Sequence, residues 1–170
     1  MKRAIAVLLV ATVAIISAPP AVAVAAKNPY GTATVDPAAP NEIILTISKG
    51  SKKVDFAYPR LAKMKQSTIS IYEPFLKKRQ TFTVIRLQLL LNFVGISGQD
   101  KVITTALNDY VFSSSAKNFI DAGAYLAIKR NGIPIGYDQG GPIRIVYGDE
   151  SKWAKNLDAW NWSLESIRVK

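Results

Sequence analysis

Asn131-Gly132-Ile133-Pro134-Ile135-Gly136-Tyr137-Asp138-Gln139-Gly140-Gly141-Pro142-Ile143-Arg144-Ile145-Val146-Tyr147 carries more information about the fold than any other stretch of the chain. Asn131-Gly132 is the pair favoured in a two-residue type I′ hairpin turn, where both positions need positive φ. Ahead of it, Ala124-Tyr125-Leu126-Ala127-Ile128-Lys129 reads as an apolar strand that this turn folds back. Asp138 beside Gly140-Gly141-Pro142 has the composition of a second turn. Ile143-Arg144-Ile145-Val146-Tyr147 then reads as a strongly apolar strand, so the stretch is strand, turn and strand rather than helix.

Toward the C-terminus, Ser163 to Val169 alternates well enough to be the last strand. Toward the N-terminus, a short helix is expected at Ser115 to Ile120, and Lys101 to Ala106 with Tyr110 to Ser113 forms a hairpin around Leu107-Asn108-Asp109. Ile85, Leu87, Leu89, Leu90, Leu91, Phe93 and Val94 are dense enough for a largely buried helix that stops at Gly95. Thr81-Phe82-Thr83-Val84 and Thr68-Ile69-Ser70-Ile71-Tyr72 alternate as half-buried strands, with the charged Glu73 to Gln80, containing Pro74, as a loop or the bend of a hairpin between them. Pro59 to Met64 reads as one or two helical turns, Lys53 to Phe56 as a short strand, and Ile43 to Ile47 as the first strand. Nine or so short strands with two or three short helices make an α+β, mainly β domain of mixed sheets.

The first segment is an address. Met1-Lys2-Arg3 precedes an unbroken apolar run from Ala4 to Ser17, Pro19-Pro20 ends it, and small residues up to Ala26 suit a signal peptidase. The run is shorter than the roughly 20 residues that span a bilayer. Residues 1–26 are therefore expected to be a cleaved signal peptide, 27–41 an extended arm, and 42–170 one domain in the periplasm or secreted, not membrane-spanning once the signal is removed. No Cys lies in the cleavage zone, which excludes a lipoprotein.

The 170 residues contain neither Cys nor His. That excludes a disulfide framework, a thiolate nucleophile, a Cys- or His-bound metal and a Ser-His-Asp triad. The acids offer no substitute. Asp149-Glu150 are adjacent, while Asp158 and Glu73 stand apart, whereas carboxylates that work as a catalytic pair must face each other across a cleft. Twenty-two Lys and Arg against 12 Asp and Glu give a net charge of +10 and favour anionic partners. Lys77-Lys78-Arg79 is the longest basic run and reads as a solvated loop, so nucleic acid is not an expected partner.

The stretch from Asn131 to Tyr147, followed by Trp162-Ser163-Leu164-Glu165-Ser166-Ile167-Arg168-Val169, resembles the closing third of the sulfite-oxidase-type molybdopterin-binding domain, the oxidoreductase molybdopterin-binding fold. The order of the earlier elements is similar too, so the resemblance extends over residues 42–170. Catalytic members of that family hold molybdenum through a Cys thiolate that this chain lacks, and the resemblance therefore does not carry redox activity or molybdenum across. Small, exported, cysteine-free members resemble periplasmic pterin-binding proteins that signal through the periplasmic domain of a membrane cyclic-di-GMP enzyme. The resemblance thus implies a non-catalytic protein that binds a pterin-like small molecule and acts through a partner.

A pterin is flat, with a guanine-like edge of donors and acceptors, and its receptor needs aromatic faces and a few polar side chains. Tyr72, Tyr110, Tyr137 and Trp153 are candidate faces, Asn108, Asp109, Asp138 and Gln139 candidate edge contacts, and Arg144 a candidate anchor for an oxygen. Simpler readings stand beside these. Asp138 and Gly140-Gly141 fit a turn, Arg144 a solvent-facing salt bridge, Tyr125 the core, and Trp160 with Trp162 one face of a strand packed on the core. The alternative function is a cell-envelope interaction module that keeps the fold without a ligand. A molybdenum oxidoreductase using another metal ligand is a third.

Overall fold

The computed structural model describes residues 38–170. The expected signal peptide and all but the last residues of the expected arm lie outside them. Among the described residues no helix is long and apolar enough to cross a membrane.

The chain opens with β1 (Ile43–Lys49), turns at Gly50 and returns as β2 (Lys52–Ala57). Helix α1 (Tyr58–Ala62), with Pro59 in its first turn where a missing N–H costs nothing, leads into the hairpin of β3 (Ser67–Glu73) and β4 (Lys78–Arg86). Helix α2 (Leu87–Leu91) runs on into a 3-10 turn, Asn92–Val94, that ends on Gly95 at φ 73°, a left-handed conformation suited to glycine. The hairpin of β5 (Lys101–Ala106) and β6 (Val111–Ser115) follows, then α3 (Ala116–Asp121), whose first turn is capped by the Ser115 hydroxyl accepting from the Asn118 N–H. The rest is β7 (Tyr125–Arg130), β8 (Ile133–Pro134), β9 (Arg144–Val146) and β10 (Leu164–Val169).

One sheet has the order β2-β1-β10-β5-β6; the other has β3-β4-β7-β8, with β9 also paired to β7. Every pairing is antiparallel except β1 with β10, which run parallel with Thr46 opposite Ser166. The last strand thereby inserts between β1 and β5 and joins the two hairpins into one sheet. Inward residues of both sheets, among them Leu45, Ile47, Phe56 and Ile167 from one and Phe82, Val84, Leu126 and Ile145 from the other, form a single buried core. Each contributes roughly 1.5–3 kcal/mol by leaving water.

Two expected bounds around β4 are corrected, although the hairpin bend expected between β3 and β4 is present. Glu73 to Gln80 is not a loop throughout: Glu73 pairs with Lys78, Tyr72 with Arg79 and Ile71 with Gln80, so the turn is confined to residues 74–77. The charges deceive because Lys77, Lys78 and Arg79 are all exposed while Glu73 and Gln80, at the two ends of the stretch, are buried. The helix also begins later than its apolar density suggests. Ile85 and Arg86 continue the β4 ladder opposite Leu126 and Tyr125, which suits the β-branched Ile85, and the helix proper starts at Leu87. The I′ turn stands, with Asn131 at φ 52° and Gly132 at φ 82°.

Candidate ligand site

Three connections meet at one end of the β3–β4 hairpin: its own turn, the β5–β6 turn, and the long segment between β9 and β10. In the β5–β6 turn, Asp109 takes φ 63°, its N–H donates to the Ala106 carbonyl, and Asn108 Oδ1 accepts from the Tyr110 N–H. Tyr110 donates its hydroxyl to the Asp158 carbonyl 3.0 Å away, which ties this turn to the β9–β10 segment. Burial, with a smaller contribution from the Asp158 charge, raises the Tyr110 pKa.

The segment between β9 and β10 is anchored by its tryptophans. Trp160, 3% exposed, donates from its indole N–H to the Trp153 carbonyl at 3.1 Å and packs edge-on to Tyr147. Trp162 is half-buried between two partners, with the Phe75 ring 4.3 Å from its centroid and the Arg144 guanidinium at 4.8 Å. Gly140 is required here. Its φ is 75°, and a Cβ would come within 2.8 Å of the Trp162 ring, so only glycine lets the backbone lie against the indole. A Cβ on Gly141 would sit 2.2 Å from the Ile135 carbonyl oxygen. The two glycines serve close packing, as a turn reading predicts, rather than a phosphate cradle.

Phe75 owes its position to Glu73. That residue is fully buried, and its Oε2 accepts from the Leu76 N–H at 2.5 Å, curling the turn so that Phe75 reaches Trp162. Phe75, Asn108, Tyr110, Leu157, Asp158, Trp160 and Trp162 together line a cavity of about 280 Å³. Leu157 also belongs to the wall of a second cavity, about 340 Å³, with Tyr72, Pro74, Asp149, Ala154 and Lys155. Asp149 holds the edge of that one: its carboxylate accepts from the Tyr72 N–H at 2.7 Å and from Arg79 at 2.6 Å, and these bonds hold its pKa below the usual carboxylate range.

The expected site residues divide in two. Asn108 and Tyr110 line the first cavity and Tyr72 the adjoining one, whereas Asp109 sits at the tip of its turn and lines neither. Tyr137, Asp138, Gln139 and Arg144 form a separate cluster beyond Trp162. There the Tyr137 hydroxyl donates to Glu42, Gln139 accepts from Arg130, and Asp138 Oδ2 is buried with no partner among the described residues. The solvent-facing reading of Arg144 is wrong. Its side chain is fully buried, like all three residues of β9, with the guanidinium against the faces of Phe82 and Trp162.

Trp153 is not a free face either. It fills an aromatic cluster edge-on to Phe112, Phe119 and Tyr147. Trp160 and Trp162 both precede β10 rather than sharing a strand, and they supply the cavity's indoles, which with Phe75, Leu157 and Asp158 the sequence reading missed. The available signal was the pairing of Gly140-Gly141 with Trp-Asn-Trp, since a glycine that must admit a ring implies a ring nearby.

No family model and no curated protein matches the sequence. Among solved structures the chain is similar to the sulfane dehydrogenase SoxCD from Paracoccus pantotrophus, with a TM-score of 0.59 and 13% identity over 81% of this chain and 40% of that one. The fold is of the sulfite-oxidase type. At this identity the likeness shows the fold and not an activity, and this chain spans less than half of the solved one.

The molybdenum cofactor associated with sulfite-oxidase-type folds does not suit the residues present. The sequence has no thiolate or imidazole, and no group of three or more acids among the described residues is arranged to hold a metal. The first cavity presents one carboxylate, Asp158, and no cation, which is unfavourable for a phosphate-bearing cofactor. Indole and phenol walls with an amide and a carboxylate suit a flat, uncharged heterocycle instead.

Proposed function

We propose that this is an exported, non-catalytic protein that binds a pterin-like heterocycle between Phe75, Tyr110, Trp160 and Trp162, and that it acts through a partner protein, for which the periplasmic domain of a membrane cyclic-di-GMP enzyme is the leading candidate. The observation that carries the reading is the cavity itself: aromatic walls, a volume of about 280 Å³, and Asn108 and Asp158 as its polar lining, on a sulfite-oxidase-type fold without a metal-binding thiolate. A pterin offers an amino group and a ring N–H side by side, and a carboxylate such as Asp158 accepts both. Asn108 matches the neighbouring acceptor and donor positions. Export and partner come from the leader-like sequence at residues 1–26 and from the resemblance.

The test is to purify the exported protein from the envelope, unfold it, and measure released pterin by its near-ultraviolet absorbance and blue fluorescence, in parallel with Trp162→Ala and Asn108→Ala. Stoichiometric pterin in the parent and its loss from both variants is the expected result. No release, and no heat on adding pterins back, would overturn it and favour the ligand-free interaction module.

A further inference from the structure

At the other end of the β3–β4 hairpin the surface has the opposite character. One concavity of about 440 Å³ is lined by Met64, Lys65, Leu89, Asn92 and Phe93, and a second of about 360 Å³ by Lys65, Gln66, Ser67, Arg86 and Leu89. Lys65 and Leu89 belong to both, so the two form one groove between α2 and the connection from α1 to β3. Two features combine there. Leu89 and Phe93 remain 37% and 49% exposed, although Leu87, Leu90 and Leu91 of the same segment are buried. The cations around it also lack counter-charges. Lys65 and Arg86 line it, Arg60 lies over the Phe93 ring and Lys63 adjoins Met64, yet none of the four forms a salt bridge among the described residues and no acid lines either concavity. Lysines without a salt bridge among the described residues occur elsewhere too, Lys52, Lys77 and Lys101 among them, but here they rim exposed apolar side chains.

We infer that this groove docks an acidic segment of a partner protein, with an apolar side chain of that segment seated between Met64, Leu89 and Phe93. Charge complementarity names the chemistry: an apolar floor with an uncompensated cationic rim attracts carboxylates and repels basic chains. Shape argues for a chain segment over a lipid surface, since a planar bilayer leaves a concavity unfilled whereas an amphipathic helix or extended peptide lays an anchor into it. The groove also reaches Ser67, the first residue of β3, an edge strand of its sheet, where a partner's backbone can align. This deepens the partner half of the proposed function and rests on it only for why a partner is needed.

The experiment titrates the exported protein with fluorescent peptides of constant Leu and Phe anchors and increasing Glu content, and separately with phosphatidylglycerol vesicles. Binding is expected to strengthen with Glu content, to weaken with added salt, and to fall roughly tenfold in a Lys65→Glu, Arg86→Glu double variant and in Leu89→Ser, with unchanged melting temperatures. Equal binding of all peptides, binding undiminished in the variants, or binding to vesicles and not to peptides would overturn the inference. Pterin content is measured on the same samples. Loss of peptide binding with pterin retained locates the failure at the groove, and peptide binding without pterin leaves the groove standing while the ligand reading fails.

Discussion

The aromatic cavity and the basic groove lie at opposite ends of β3, a seven-residue strand and so roughly 20 Å apart. They are built in opposite ways. The cavity's walls double as core: Trp160 is almost wholly buried, and Trp162 is clamped between Phe75 and Arg144. The groove's most exposed walls, Leu89 and Phe93, stand outside the buried set, although Met64 packs partly against the core and Phe93 edge-on to Phe56. The comparison teaches that the two surfaces respond differently to mutation. A change in the cavity disturbs stability and binding together, whereas a change at Leu89 in the groove disturbs association alone.

The sharpest way to break that contrast is Trp160→Ala. Truncating a buried indole costs about 3–5 kcal/mol, so urea unfolding should shift by that amount and the indole bond to the Trp153 carbonyl is lost. A shift below about 1 kcal/mol would mean the wall is not part of the core. Trp162→Ala is the intermediate case. Stacking of a flat ring on an aromatic side chain is worth about 1–3 kcal/mol, so affinity for added pterin should fall roughly ten- to a hundredfold, read by calorimetry.

Asp149 tests how firmly β3 is held beside the second cavity. Its pKa is lowered chiefly by the Tyr72 N–H and secondarily by Arg79. A carboxylate whose pKa is lower when folded stabilises above its unfolded value of about 3.9 and loses that contribution as pH falls through the folded value. Asp149→Asn should therefore be less stable than the parent at neutral pH, with the difference beginning to shrink near about pH 4 and disappearing only as pH falls through the lower folded value. A constant difference across pH would refute the charge-based account. Tyr137 gives the mirror image at high pH. Burial, then its hydrogen bond to Glu42, pushes its pKa up to about 12. The stabilisation is full below the unfolded value of about 10 and is lost as pH rises toward the folded one. Absorbance at the phenolate band should show this tyrosine ionising after the exposed ones, and Tyr137→Phe should remove that late step.

The smallest effect belongs to the groove. Leu89→Ser should change unfolding free energy by no more than about 0.5 kcal/mol. A larger loss would place Leu89 in the core and dissolve the contrast.

Local sequence was enough for much of the scaffold. The Asn131-Gly132 turn, the Asn108-Asp109 turn and the alternation of Thr68 to Tyr72 each report a backbone requirement met within a few residues, and the structure has each of them. What failed depends on partners distant in the chain. Glu73 reads as a charged loop residue and is buried because Lys78 opposite completes the ladder. Arg144 alternates as though solvent-facing and is buried because Phe82 and Trp162, distant in the chain, cover its guanidinium. Of the site, Asn108 and Tyr110 were legible because a tight turn must project its side chains. Phe75, Trp160 and Trp162 were not, because aromatic residues suit a core as well as a ligand wall.

The sequence by itself determined that chemistry dependent on thiolate or imidazole is closed to this protein, since no arrangement of the chain creates a group it does not contain. It determined the turns and the mainly β character as well, because φ preferences and side-chain period act locally. Only the tertiary structure decided which rings face a cavity and which cations go unpaired. Those properties belong to neighbours tens of residues apart, such as Phe75 with Trp162, and arise only when β10 inserts beside β1 and draws the last segment across the hairpin.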